Sequence, residues 1–81
     1  MVTTQEIQEK LAEIVNDIAG CRIEDVQPDK SFVDDLDIDS LAMVEILVGC
    51  EDAFGVVIPD EDSKKLVTVG DAITYVAEHQ E

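Results

Sequence analysis

The stretch Ser31-Phe32-Val33-Asp34-Asp35-Leu36-Asp37-Ile38-Asp39-Ser40-Leu41-Ala42-Met43-Val44-Glu45, continuing through Ile46 to Phe54, decides the fold. Its first part, Ser31 to Ile38, reads as an acidic loop. Its second part, from about Ser40 to Phe54, reads as an apolar helix. The seam between them is Asp39-Ser40-Leu41. Asp and Ser both favour the position that caps a helix start, where a side-chain oxygen accepts a free backbone N–H. Ser40 is therefore exposed, ringed by carboxylates, and without a base to activate it. A hydrolytic serine needs such a base, and in one common form a G-x-S-x-G turn. Ser40 lacks that turn, and His79 near the C-terminus is a thin basis for a triad. The setting suits a serine that another enzyme modifies, above all with a phosphate-containing group. A helix N-terminus tolerates a phosphodiester through its free N–H groups and positive dipole end. By local pattern alone a plain helix cap is the favoured reading of Asp39-Ser40, and the two readings are compatible.

Successive helical residues lie ~100° apart. On that rule Met43, Ile46, Leu47, Cys50 and Phe54 face the core, while Leu41, Glu45, Val48 and Asp52 fall opposite. Leu41 and Val48 then form a small apolar patch on the face of the serine, with acids between them. Gly49 falls on the outer side. It costs ~1 kcal/mol against Ala in a helix, and no local pattern explains it.

Working outward, Thr3 and Glu6 form a capping box and Val2 and Ile7 occupy hydrophobic-staple positions. Ile7, Leu11, Ile14, Val15 and Ile18 continue as one apolar stripe of a first helix, which Gly20 stops. Residues Cys21 to Ile38 show no sustained period, and Pro28 argues for loop. Ile23, Val26, Phe32, Val33, Leu36 and Ile38 are apolar enough to pin this connection to a core, so it is read as ordered. Beyond the second helix, Val56 to Ile58 form an extended packed segment. Asp60 to Leu66 form one short helix, with Lys64 and Lys65 at its C-terminal end, where cations suit the dipole. Thr68 caps a last helix with Asp71 three residues on, and Val69, Ala72, Ile73 and Val76 are its apolar side. The fold class is all-α: a small four-helix bundle of three longer helices and one short helix, with a long ordered loop between helices one and two. The 81 residues are expected to form one domain, 1–81.

Twenty acidic residues oppose five basic ones, a net charge of -15. Nucleic acid and anionic membranes, which need basic surfaces, are excluded as partners on this ground. Ten of the carboxylates lie between Ser31 and Ser63, where there is no Lys or Arg. Because the run surrounds Ser40, it reads as a docking surface for basic partners. Asp35, Asp37 and Asp39 alternate like calcium ligands, but the sixth loop position is Ser40 and not Gly, and the twelfth is Ile46 and not Glu. Cys21 and Cys50 are far apart, form no CxxC and read as small apolar residues of a reducing compartment. No metal site is expected from them and His79. The N-terminus lacks the basic start and apolar stretch of a signal peptide, and cytoplasmic residence is the expectation.

Residues Ser31 to Glu45, Val57-Ile58-Pro59-Asp60-Glu61-Asp62 and Thr68-Val69-Gly70-Asp71-Ala72-Ile73 together resemble the discrete bacterial acyl carrier proteins, those of actinobacterial fatty acid synthesis above all. The first helix matches in pattern, so the resemblance spans nearly the whole chain. It implies a carrier and not an enzyme. A phosphopantetheinyl transferase would attach 4'-phosphopantetheine covalently to Ser40, with Asp39 and Leu41 flanking it, and acyl groups would travel as thioesters on the arm. It implies docking through Glu45, Val48, Glu51 and Asp52, with Ile58 and Asp60 near the edge of the same surface. The implied partners are malonyl transferase, ketosynthase, ketoreductase, dehydratase and enoyl reductase, each through a basic patch, and the acyl chain is cargo folded between the helices. Lys64 stands where relatives often carry an acid.

The run Asp-Leu-Asp-Ile-Asp-Ser-Leu favours fatty acid synthesis over aromatic-polyketide carriers, which often read Gly-Tyr-Asp-Ser-Leu. The chain also resembles the mycobacterial carriers of very long acyl chains, without their C-terminal extension. A dedicated carrier of a polyketide or other secondary pathway is the alternative. From another class, the alternative is a non-carrier acidic adaptor in which Ser40 is only a cap. A monomer is expected, because a mobile carrier gains nothing from burying its docking face.

Overall fold

The computed structural model describes residues 2–80. Four α-helices follow one another: α1 Thr4–Ala19, α2 Ser40–Phe54, α3 Asp60–Ser63 and α4 Val69–His79. A single 3₁₀ turn, Ile23–Asp25, interrupts the long connection between α1 and α2. No strand is formed among the described residues; Ser31 and Thr68 make one isolated antiparallel bridge.

The helix starts follow from their caps. Thr3 Oγ1 accepts the Glu6 N–H while Glu6 Oε1 accepts the Thr3 N–H, both at 3.2 Å. Thr68 and Asp71 make the same reciprocal pair at 3.0 and 3.1 Å at the head of α4. At the head of α2, Asp39 Oδ1 accepts the Ala42 N–H at 2.8 Å. Each satisfies donors that a helix start leaves free. Gly20 and Gly55, at φ 75° and 68°, end α1 and α2 in the left-handed conformation open to glycine.

α1 is the hub of the packing. Its stripe Ile7, Leu11, Ala12, Ile14 and Val15 is buried, and both α2 and α4 lean on it. α4 contributes Val69, Ala72, Ile73 and Val76, while α2 contributes only Ile46 and Cys50 as fully buried residues. Met43, Leu47 and Phe54, expected in the core, are half-buried. The segment around α3 adds Val56, Ile58 and Leu66 to the buried core.

The long loop is ordered by backbone bonds to the start of α4. The Phe32 N–H donates to Val67 O at 3.0 Å, Val69 N–H to Lys30 O and Gly70 N–H to Pro28 O, each at 2.9 Å. A Cβ at residue 70 would lie 2.9 Å from the Pro28 carbonyl oxygen, so this junction requires glycine. Val26, Phe32 and Ile38 anchor the loop in the core, and Leu36 is half-buried. Ile23 and Val33, expected to help, are exposed instead. With the backbone bonds and three buried side chains already fixing the loop, these two are left outside.

Two further expectations are corrected. Gly49 is not on a free outer face: a Cβ there would lie 3.0 Å from Ile14 Cγ2, so the glycine lets α2 approach α1 closely. The short helix ends at Ser63 and does not reach Leu66. Leu66 N–H bonds back to Ser63 O and Lys65 N–H to Asp62 O, a tighter turn that carries Leu66 inward to burial.

Candidate functional site

Ser40 is the first residue of α2 and is exposed. Its neighbour Asp39 is extended and committed to capping: its carboxylate holds the Ala42 N–H and its carbonyl accepts the Met43 N–H at 2.9 Å. The Ser40 and Leu41 N–H groups are left with no helical acceptor, as the geometry of a helix start dictates. The Ser40 hydroxyl makes no hydrogen bond among the described residues, and no basic side chain is paired with it. His79, the one histidine, lies at the end of α4 with Nδ1 2.8 Å from Tyr75 O and its ring stacked on Tyr75 at 3.9 Å. The serine is thus presented but not activated.

The loop brings Ser40 to the surface through a shaped turn. Asp35 Oδ2 accepts the Ser31 N–H at 2.7 Å, Ser31 Oγ accepts the Asp34 N–H at 3.2 Å and the Ile38 N–H donates to Phe32 O at 3.0 Å. Asp37 takes φ 55°, a left-handed conformation that Asp tolerates better than most residues. Buried Ile38 and exposed Asp39 then fix where α2 begins.

From Ser40 an apolar stripe runs up the outer face of α2. Leu41 is 71% exposed and Val48 54%, as the helical wheel requires. Val44, at 57%, joins them and had not been singled out. Its spacing from Leu41 and Val48, i+3 and i-4, was the signal available. Glu45 and Asp52 are exposed beside the stripe, and Asp60 is exposed at the start of α3. Glu51 is half-buried and not free: its Oε1 accepts the Ile58 N–H at 3.1 Å. Ile58 itself is 7% exposed, so its side chain belongs to the core and not to the edge of a surface. The alternation Val56 in, Val57 out, Ile58 in decides this.

The two thiols differ. Cys50 is buried on α2, and burial, with Glu51 beside it, pushes its pKa up to about 12. Cys21 is half-buried with Sγ 3.5 Å from Leu36 O; burial first, then Asp25 and Asp37, raise its pKa too. Neither environment makes a reactive thiolate. No helix among the described residues is long and apolar enough to cross a membrane.

A small helical scaffold that exposes a serine at a helix start can bear a group there. The chain belongs to the family of the phosphopantetheine attachment site, whose model matches residues 9–76. It is 57% identical over 76 residues to an acyl carrier protein of Acidothermus cellulolyticus, covering 94% of this chain and 90% of that one. It is 54% identical over 80 residues to the meromycolate extension acyl carrier protein of Mycobacterium leprae, covering 99% of this chain and 70% of that one. The solved structure of an acyl carrier protein from Enterococcus faecalis matches with a TM-score of 0.81 at 33% identity, over 98% of this chain and all of that one. The relatives are carriers and not enzymes, and this chain is a carrier whose prosthetic group is phosphopantetheine and whose standard role is in fatty acid synthesis.

Proposed function

We propose that Ser40 bears the phosphopantetheine arm and that the acidic, apolar-striped face of α2 presents it to basic patches on the enzymes of fatty acid synthesis in the cytoplasm. The observation that carries this is the exposed, unbonded Ser40 hydroxyl at the first residue of α2, with Asp39 committed to the cap. The Ser40 oxygen would form the phosphodiester, with the adenosine bisphosphate half of coenzyme A leaving. The transferase supplies the base that takes the serine proton, which this chain lacks. The free Ser40 and Leu41 N–H groups and the positive end of α2 suit that anion. When bound, the arm supplies a thiol that holds acyl groups as thioesters.

The chain's own residues do the rest by position. Leu41, Val44 and Val48 offer apolar contact, and Glu45, Glu51, Asp52 and Asp60 offer charge to the malonyl transferase, ketosynthase, ketoreductase, dehydratase and enoyl reductase. Charge complementarity speeds and orients such encounters more than it tightens them. Tethering then raises the local concentration of cargo at each partner.

The test is the intact mass after incubation with coenzyme A, magnesium and a broad-specificity phosphopantetheinyl transferase. One added phosphopantetheine on the wild type and none on Ser40→Ala is expected. No addition, with a folded protein and an active transferase, overturns the assignment and leaves Asp39-Ser40 as a helix cap in an acidic adaptor.

A further inference from the structure

The carboxylate of Glu51 sits between two tasks. It lies on α2 within the acidic run, and the structure gives it a partner inside the molecule: the backbone N–H of Ile58 at 3.1 Å. That bond pins the segment Val56–Ile58, whose Val56 and Ile58 side chains are buried in the core. Beyond that bond, this part of the chain is held by the burial of Val56, Ile58 and Leu66. α3 is a single turn of four residues, and its side-chain tie to another helix is the Tyr75 hydroxyl donating to Asp62 Oδ2 at 2.9 Å. Glu51 forms no ion pair among the described residues, and the ion pairs present are all elsewhere: Lys10–Glu13, Arg22 with Glu24 and Asp25, and Lys65–Asp62.

A carboxylate bonded to one neutral N–H, with no cation in residues 31–63, is under-satisfied. A guanidinium or ammonium from a docking partner offers it a stronger, charge-assisted bond on both sides. Drawing the carboxylate outward removes the acceptor of a part-buried N–H, and a donor left without a partner there regains one by its segment moving toward water. We infer that Glu51 couples docking to opening: capture of its carboxylate by a basic partner releases Ile58 and loosens the segment 56–63 over the core. This rests on the reading of α2 as the docking face. It makes Glu51 a positioning residue whose docked state differs from its free state, unlike Glu45 and Asp52, whose carboxylates make no bond among the described residues.

The experiment is residue-resolved amide hydrogen exchange, in two arms. In the free protein, Glu51→Ala removes the acceptor and Glu51→Gln keeps one without the charge. Exchange at Ile58 about 10-fold faster in Glu51→Ala and within about 3-fold of wild type in Glu51→Gln is expected. An Ile58 amide no faster in Glu51→Ala than in wild type overturns the inference. In the second arm, wild-type protein is saturated with phosphopantetheinyl transferase and magnesium without coenzyme A. Slower exchange at residues 41–44 with faster exchange at Ile58 supports the coupling. Ile58 unchanged or slower in the complex overturns it, since the carboxylate would then serve both partners at once, and so does a transferase that does not bind. Failure of the carrier reading has its own signature, no mass gain at Ser40, and leaves the free-protein arm decisive for the Glu51–Ile58 bond.

Discussion

The α1–α4 side and the α2–α3 side of this molecule are built to different standards. On the first, two reciprocal capping boxes, a buried stripe of five α1 residues and three backbone bonds from the long loop lock the helices together. On the second, α2 buries two residues, leaves Leu41, Val44 and Val48 exposed, and holds the segment before α3 by one bond, Ile58 N–H to Glu51, while the four-residue α3 is tied to α4 by Tyr75 and Asp62. One side holds the shape and the other carries the proposed docking face. The exposed apolar residues that line up on one helix face are on α2, the long helix with the fewest buried residues.

The largest expected effect tests that asymmetry directly. Leu11→Ala on α1 opens a cavity at a residue 1% exposed and is expected to cost about 3 kcal/mol, near the middle of the range for buried leucines. Leu47→Ala on half-buried ground in α2 is expected to cost less than half of that. Urea melts of the two variants decide it, and equal losses would break the comparison.

Next is pH. Cys50 has its pKa raised from 9.0 to about 12 in the fold, so the unfolded chain ionises first. The stability it contributes is complete below pH 9 and is lost as pH rises from 9 toward 12. By pH 10 the loss is ~1 kcal/mol. Thermal melts from pH 8 to 10.5 should show a decline that Cys50→Ala flattens, and an identical slope in the variant would remove Cys50 as its cause.

The two close-approach glycines give a smaller contrast. Gly70→Ala meets a backbone oxygen that cannot yield and should destabilise by about 1–2 kcal/mol. Gly49→Ala meets the side chain of Ile14, which can turn aside, and gains about 1 kcal/mol of helix propensity, so the net change should be near zero. Paired chemical melts check this. A Gly49→Ala loss as large as that of Gly70→Ala would mean that the α1–α2 contact is as unyielding as the loop junction.

Cargo and salt act on the soft side and on the whole surface respectively. If a saturated acyl chain on the holo protein enters the core, it buries methylenes worth ~0.8 kcal/mol each, less the cost of opening the core. The melting temperature should rise with acyl length, and no change across lengths would sink the idea that the chain enters the core. Raising ionic strength should lift the melting temperature by a few degrees at most, since screening relieves the repulsion of a net charge of -15.

Much of this was legible in the sequence where the physics is local. The capping boxes at Thr3 and Thr68, the glycine stops and the α1 stripe depend on neighbours within four residues, and the helices stand where those signals put them. Most of the hidden or mis-set features depend on what arrives from elsewhere in the chain. Gly49 is explained only by Ile14, Gly70 by Pro28, and the exposure of Ile23 and Val33 by the bonds that already hold the loop. The length of α3 is set by Leu66 turning inward, and Ile58 by the alternation that buries it. For the site, the exposure of Ser40, Leu41 and Val48 followed from the helical wheel, whereas the bond between Glu51 and Ile58 needed two segments brought together.

The bridge between Ser31 and Thr68 also has a meaning in time. Helices with their own caps can form within microseconds, but this bridge joins distant points and encloses α2 and α3 in the loop it closes. Closure entropy grows only with the logarithm of loop length, so the link is cheap at equilibrium and slow to find. A nascent chain would therefore hold α1 and α2 as transient helices and lack a seated loop until α4 is made. The serine's final presentation would then be among the last features to form.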